Sequence, residues 1–139
     1  MRNIHSFVAI LLVGLLPITS CAQTNQRKEQ NMKAKKTLVA FFSRAGENYA
    51  VGHIEKGNTH IIAKIIAAET GGDLFRIEPV TPYPDDYTEC TEVAKRESDG
   101  KARPAVKGDA AVENYDIIFI GYPNWWGDMP MPVYTFVEK

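Results

Sequence analysis

The stretch that decides the fold is TLVAFFSRAGEN, Thr37–Asn48. Its first six residues, Thr37 to Phe42, are apolar or β-branched without interruption, and a polar, turn-rich segment follows at once. A strand whose side chains alternate buries one face. A strand without alternation is buried on both, as happens inside parallel sheets. Parallel neighbours are joined by long crossovers, so helices are expected on both sides of this strand in the sequence.

Reading downstream supplies them. NTHIIAKIIAAETGG, from Asn58, predicts a helix capped by Asn58 or Thr59 and stopped by Gly71 and Gly72. Ile61, Ile62, Ile65 and Ile66 form its apolar face. DLFRIEPV then alternates, Phe75 and Ile77 against Arg76 and Glu78, which marks an edge strand. PYPDDYTECTEVAKRE predicts a second helix with Pro84 in its first turn, Asp85 and Asp86 at the positive end of the dipole, and an inward stripe of Tyr87, Cys90, Thr91 and Ala94. SDGKARPAVKGDAAVEN reads as a loop, YDIIFIG as a second continuously apolar strand, and MPVYTFVEK as the opening of a third helix.

This alternation predicts an α/β fold with a doubly wound parallel sheet. The alternating strand belongs at an edge, the Leu38 strand beside it and the Ile117 strand beyond, a strand order of 2-1-3. Ligands of such sheets lie past the carboxyl ends of the strands where the winding reverses. The loops after Phe42 and Gly121 should therefore face each other across one crevice.

Reading upstream gives a different kind of sequence. Residues 1–20 resemble an export signal: Arg2, then an apolar run from Phe7 to Pro17 too short to span a bilayer, then small residues. Ile18, Thr19, Ser20 and Cys21 resemble a lipobox, making Cys21 a lipidation site; a plain secretory signal is the alternative. Residues 21–36 read as a flexible tether and 37–139 as the folded domain. The expected location is the periplasmic side of a bacterial envelope, lipid-anchored, or the cytoplasm if translation starts at Met32.

Across all 139 residues, 16 basic and 17 acidic side chains leave a net charge of −1, with no basic stripe for nucleic acid. Of two cysteines, Cys21 is assigned to the anchor, which leaves Cys90 and neither a disulfide nor a cysteine-ligated zinc site. The three histidines have no metal-ligand spacing.

Two segments carry candidate chemistry. Ser43, Arg44, Ala45 and Gly46 follow the first strand, and Asn58 and Thr59 open its helix. Helix N-terminal amides beside short hydroxyl side chains suit an anion, phosphate above all, although simple capping explains the same residues. The segment contains neither a Walker-type loop nor G-x-G-x-x-G. Across the crevice, Pro123, Asn124, Trp125, Trp126 and Gly127 hold the two tryptophans of the chain. An aromatic pair beside a phosphate site suits a ligand with a phosphate at one end and a planar ring at the other. The plainer reading makes one tryptophan core and the other a surface cover.

TLVAFFSRAGENY, GNTHIIAKII, DLFRIEPVTPYPDDY and NYDIIFIGYPNWWGDMPMPV resemble, in order and spacing, the flavodoxin-like family, in particular its bacterial branch with an extended phosphate loop. The resemblance runs from Leu38 to Val137. It implies a doubly wound flavodoxin fold that binds FMN without a covalent bond. It places the phosphate at Ser43, Arg44, Ala45, Gly46, Asn58 and Thr59, and the isoalloxazine ring against Pro123, Asn124, Trp125, Trp126 and Gly127. It implies electron transfer to a redox partner protein or small acceptor, in preference to an NAD(P)H-dependent quinone-type reductase.

Two departures stand out. Ala45 occupies a position where the family often has threonine, a loss of about 0.5–1.5 kcal/mol for one hydrogen bond. The sheet is also expected to be incomplete, three of five strands. The Ile117–Ile120 edge would then be open and ready to pair with another chain. The competing expectation is a truncated, flavin-free module, acting as a lipid-anchored interaction domain or as a non-functional fragment.

Other candidates read as structural. Cys90 falls on a helical apolar stripe and is expected to be a core thiol. Asp85, Asp86, Glu89 and Glu92 fit helix-start charge and a solvated face. His53 and His60 flank the phosphate loop; contact with a phosphate is one reading of His60, and a surface role is the plainer one. Glu47 and Asp128, if near the ring, would disfavour negative charge on it.

Overall fold

A computed structural model describes residues 35–139. The expected signal, the Cys21 lipidation site, Met32 and most of the tether lie outside the described residues.

Three parallel strands form the main sheet: β1 (Thr37–Phe41), β4 (Asp73–Arg76) and β5 (Ile117–Gly121), in the order β4-β1-β5. This is the 2-1-3 order expected of the first, second and third long apolar segments. Val39 sits opposite Leu74 on one side and Phe119 on the other. Every residue of β1 is buried, as its unbroken apolar run requires.

Because side chains alternate across a strand, β1 feeds two cores. Leu38, Ala40 and Phe42 pack with Ile77, Val133 and Phe136 on one face. Val39 and Phe41 pack with Ala63 and Ala67 on the other. Helix α1 (Asn58–Thr70) supplies Ala63 and Ala67; α3 (Met131–Val137) supplies Val133 and Phe136. Helices therefore cover both faces, the doubly wound arrangement. Between them, α2 (Tyr87–Asp99) follows β4.

The isoleucine face expected of α1 is not its buried face. Ile61, Ile62 and Ile65 are exposed, Ile66 is half-buried, and the alanine row Ala63/Ala67 meets the sheet. Small side chains let the helix lie close over Val39 and Phe41, and this contact turns the larger isoleucines outward. Neither Asn58 nor Thr59 caps α1. The cap position is Gly57, and the Ser43 hydroxyl, from the loop after β1, accepts the His60 N–H at 3.1 Å. Gly71, in the left-handed conformation at φ 64°, ends the helix as expected.

Helix α2 starts later than the sequence suggests. Pro84 and Asp85 precede it, and Asp86 is the cap, its carboxylate accepting the Glu89 N–H at 2.9 Å. Of its expected inward stripe, Cys90 and Ala94 are buried, Thr91 is half-buried and Tyr87 is exposed. The polar segment after β1 is also more ordered than a turn: β2 (Gly46–Asn48) and β3 (Gly52–Ile54) pair as an antiparallel hairpin. The long loop after α2 contains a short 3-10 turn, Val112–Asn114. No helix among the described residues is long and apolar enough to cross a membrane.

Candidate functional site

The site lies where β1 and β5 end side by side. The Phe42 N–H donates to the Gly121 carbonyl at 2.8 Å, which holds the roots of the two loops together. The loops then diverge and enclose a cavity of about 400 Å³. Arg44 of the first loop and Asn58 at the start of α1 line it on one side, Pro123, Asn124, Trp125 and Trp126 of the second loop on the other. Six of the eleven residues expected at the site thus share one cavity. Ser43, Ala45 and Gly46 instead line a neighbouring cavity of about 560 Å³, bounded also by Pro82, Tyr83, Asp85 and Asp86, which contains neither tryptophan. Arg44 lines both. Thr59 and Gly127 line neither of these two cavities.

On the first side, the loop presses onto the start of α1. A Cβ built on Gly57 would fall 2.2 Å from Ser43 Oγ and 2.4 Å from the Arg44 carbonyl oxygen, so only glycine permits the approach. An α-helix leaves its first N–H groups without intrahelical acceptors. Here His60 donates to Ser43 and Ile61 to the Gly57 carbonyl at 3.3 Å. Asn58 and Thr59 open the same turn and present their N–H groups at its positive end. Ser43 keeps its own hydroxyl proton to donate, because its oxygen serves as the acceptor for His60. The donor set of amides plus hydroxyl fits a phosphate, with Ala45 adding no hydroxyl. The Arg44 guanidinium is committed elsewhere: it donates to the carbonyls of Pro84 (2.9 Å), Asp85 (2.5 Å) and Glu47.

On the second side the two tryptophans have separate roles. Trp125 packs edge-on against Phe42 (centroids 5.2 Å apart) and Tyr83 (5.0 Å), at the margin of the Leu38 core. Trp126 is 57% exposed. It occupies a tight turn in which Trp125 and Asp128 exchange backbone bonds of 2.9 and 3.0 Å. Trp126 has φ 53° and Gly127 φ 82°, the two positive values a type I′ turn requires. A left-handed conformation is cheap for glycine and unfavourable for tryptophan, so the ring is held at a strained apex. Its indole N–H donates to the Thr91 carbonyl at 3.1 Å, docking the apex on α2.

Of the remaining candidates, Cys90 lines the tryptophan cavity and His53 the neighbouring one. Burial pushes the Cys90 thiol above its ordinary range, with Glu97 adding to the effect and Arg44 opposing it. Burial also pushes the Tyr83 hydroxyl far up, reinforced by its bond to Glu97. His60 stacks on Phe41 at 4.9 Å, and burial, with Lys56, Arg76 and Lys64 nearby, lowers its pKa. His53 lies between Glu47 at 3.4 Å and Glu55 at 3.6 Å on the hairpin. Neither Glu47 nor Asp128 lines the tryptophan cavity. Asp128 instead accepts the Tyr134 hydroxyl at 3.0 Å. Among the described residues there is no cluster of metal-ligating side chains.

Sequence reasoning missed part of the cavity wall: Asn48, Tyr49 and Val51 of the hairpin, and Tyr87 and Thr91 of α2. The available signal was GENYAVG, an aromatic residue isolated in a polar segment between two glycines.

Comparison with known proteins supplies the context. The flavodoxin family model matches residues 36–139. A search of curated proteins returned no match. Similar crystal structures include a candidate flavoprotein from Bacteroides eggerthii DSM 20697, with 35% identity and a TM-score of 0.60 over 75% of this chain. Another, from Bacteroides uniformis ATCC 8492, has 35% identity and a TM-score of 0.54 over 76% of this chain. The chain spans 62% and 64% of the lengths of those two proteins.

Proposed function

The chain belongs to the flavodoxin family, and on that premise we propose that it binds FMN non-covalently in the crevice between its two loops and serves electron transfer. The observation that carries the reading is the convergence, in one cavity, of Arg44 and Asn58, the first residue of α1, with the tryptophan loop. The candidate flavoproteins of similar structure support the flavin class. In this reading Asn58 and Thr59 N–H groups and the Ser43 hydroxyl hold the phosphate. Pro123 to Gly127 form a wall for the ring, with Trp126 offering its exposed indole.

FMN supplies the electron chemistry when bound, in its isoalloxazine ring. The chain binds, orients and shields. Aromatic walls of low polarity disfavour extra negative charge on an enclosed ring and lower its potential. No side chain is required as acid, base or nucleophile, and a redox protein or small acceptor would take the electrons at the exposed apex.

The test is a titration of FMN with the chain and its Trp126→Ala variant, followed by flavin fluorescence. Saturable quenching, weakened about three- to tenfold by loss of the aromatic contact, is the expected result. A chain that quenches nothing would overturn the flavin reading.

A further inference from the structure

Resting on the flavin reading above, we propose that the β2–β3 hairpin is the second jaw of the site, with Tyr49 at its tip closing on the ring opposite Trp126. Two turn apices border the same cavity, and each carries an exposed aromatic side chain. Tyr49 is 79% exposed and Trp126 57%. An aromatic residue at a turn apex costs apolar exposure, and two facing one cavity make a clamp for a flat ligand.

The hairpin is held in place and does not simply dangle. The Arg44 guanidinium binds the Glu47 carbonyl on β2 and, at the same time, the carbonyls of Pro84 and Asp85 just before α2. The Asn48 side-chain amide donates to the Gly46 carbonyl at 2.8 Å. The tip closes through a Val51 N–H to Tyr49 carbonyl bond of 2.8 Å around Ala50, whose φ of 61° is unusual for a residue with a side chain. This brings the Tyr49 ring 6.2 Å from that of Tyr87, tilted by 32°, a loose contact that leaves Tyr49 free to repack on a ligand. The plainer account makes Tyr49 a cover for Tyr87, and it predicts no effect of Tyr49 on bound flavin.

The hairpin then contributes selectivity as well as grip. A ligand with the phosphate alone gains nothing from Tyr49, whereas a ligand with phosphate and ring gains both contacts.

The experiment titrates FMN, and separately inorganic phosphate as competitor, into the full chain and its Tyr49→Ala and Tyr49→Phe variants, and measures iodide quenching of the bound flavin. The expected result is a three- to tenfold weaker FMN affinity and a more iodide-accessible flavin in Tyr49→Ala, with Tyr49→Phe restoring both and phosphate competition unchanged. Tyr49 is surface-exposed, so the alanine variant is expected to fold. Equal FMN affinity and equal iodide access in the parent and Tyr49→Ala would overturn the hairpin's role while leaving FMN binding standing. No FMN binding by the parent chain would overturn both.

Discussion

The two loops that form the crevice are anchored by opposite means. The loop after β1 is held by hydrogen bonds: Ser43 caps a helix outside its own segment, and Arg44 ties the Glu47 carbonyl to those of Pro84, Asp85 and Asp86. The loop after β5 is held by packing, with Trp125 wedged between Phe42 and Tyr83, and Pro130 and Pro132 fully buried behind it. A polar anchor fails one donor at a time and leaves the fold standing. A packed anchor fails together with the core beneath it.

The largest expected effect follows from that contrast. Trp125→Ala should lose about 3 kcal/mol of stability, the low end for truncating a packed aromatic because Trp125 is half-buried at the margin of the core, while Trp126→Ala should lose about 1 kcal/mol or less, as an exposed side chain does. Urea unfolding of the two variants measures both, and equal losses would remove the distinction between packed and presented tryptophans. Next in size, Ser43→Ala should lose about 1 kcal/mol, the usual cost of a helix cap, with β1 and both cores intact. Should thermal unfolding show no loss, the cap across the loop is not stabilising and the polar anchor rests on Arg44 alone.

The smallest effect sharpens the same contrast through pH. The folded-state pKa of His60 lies below its ordinary 6.5, so the folded state resists protonating a ring stacked on Phe41. Its stabilising contribution is then fully present above pH 6.5 and is lost as pH falls through the lower folded value. An NMR titration should place the His60 midpoint below 6.5, and His60→Gln should flatten the stability difference between pH 7.5 and pH 5. A midpoint at or above the ordinary value would show that burial does not act on this ring.

Strand order and the meeting of the two loops were legible in the sequence because both follow from which strands lack alternation. Thr37–Phe42 and Ile117–Ile120 are unbroken, whereas Phe75 and Ile77 alternate with Arg76 and Glu78. What stayed hidden depends on distances between segments. The periodicity of α1 marks Ile61, Ile62, Ile65 and Ile66 as one apolar face, yet the sheet selects Ala63 and Ala67 because a close approach has no room for larger groups. A cap supplied by Ser43, 17 positions before the donor, has no local signature. The two tryptophans differ only through turn geometry: Gly127 was visible, but the left-handed conformation of Trp126 that turns one ring inward and the other outward was not. The hairpin lacks the Asn-Gly or Asp-Gly pair that would announce it, so its residues read only as a polar, turn-rich segment.

The position of β1 has a consequence for motion. Hydrogen bonds run from it to β4 and to β5, and they continue past its end, where the Ile77 N–H reaches the Phe41 carbonyl at 2.7 Å. Amides sealed on both sides exchange with solvent only through large openings, while those of a two-stranded hairpin or an outer strand edge exchange through small ones. Among the described residues, the floor of the crevice is therefore expected to exchange more slowly than its hairpin wall. In the flavin reading proposed above, fluctuations of the wall alone would admit and release the ligand, without disturbing the strand on which the site stands.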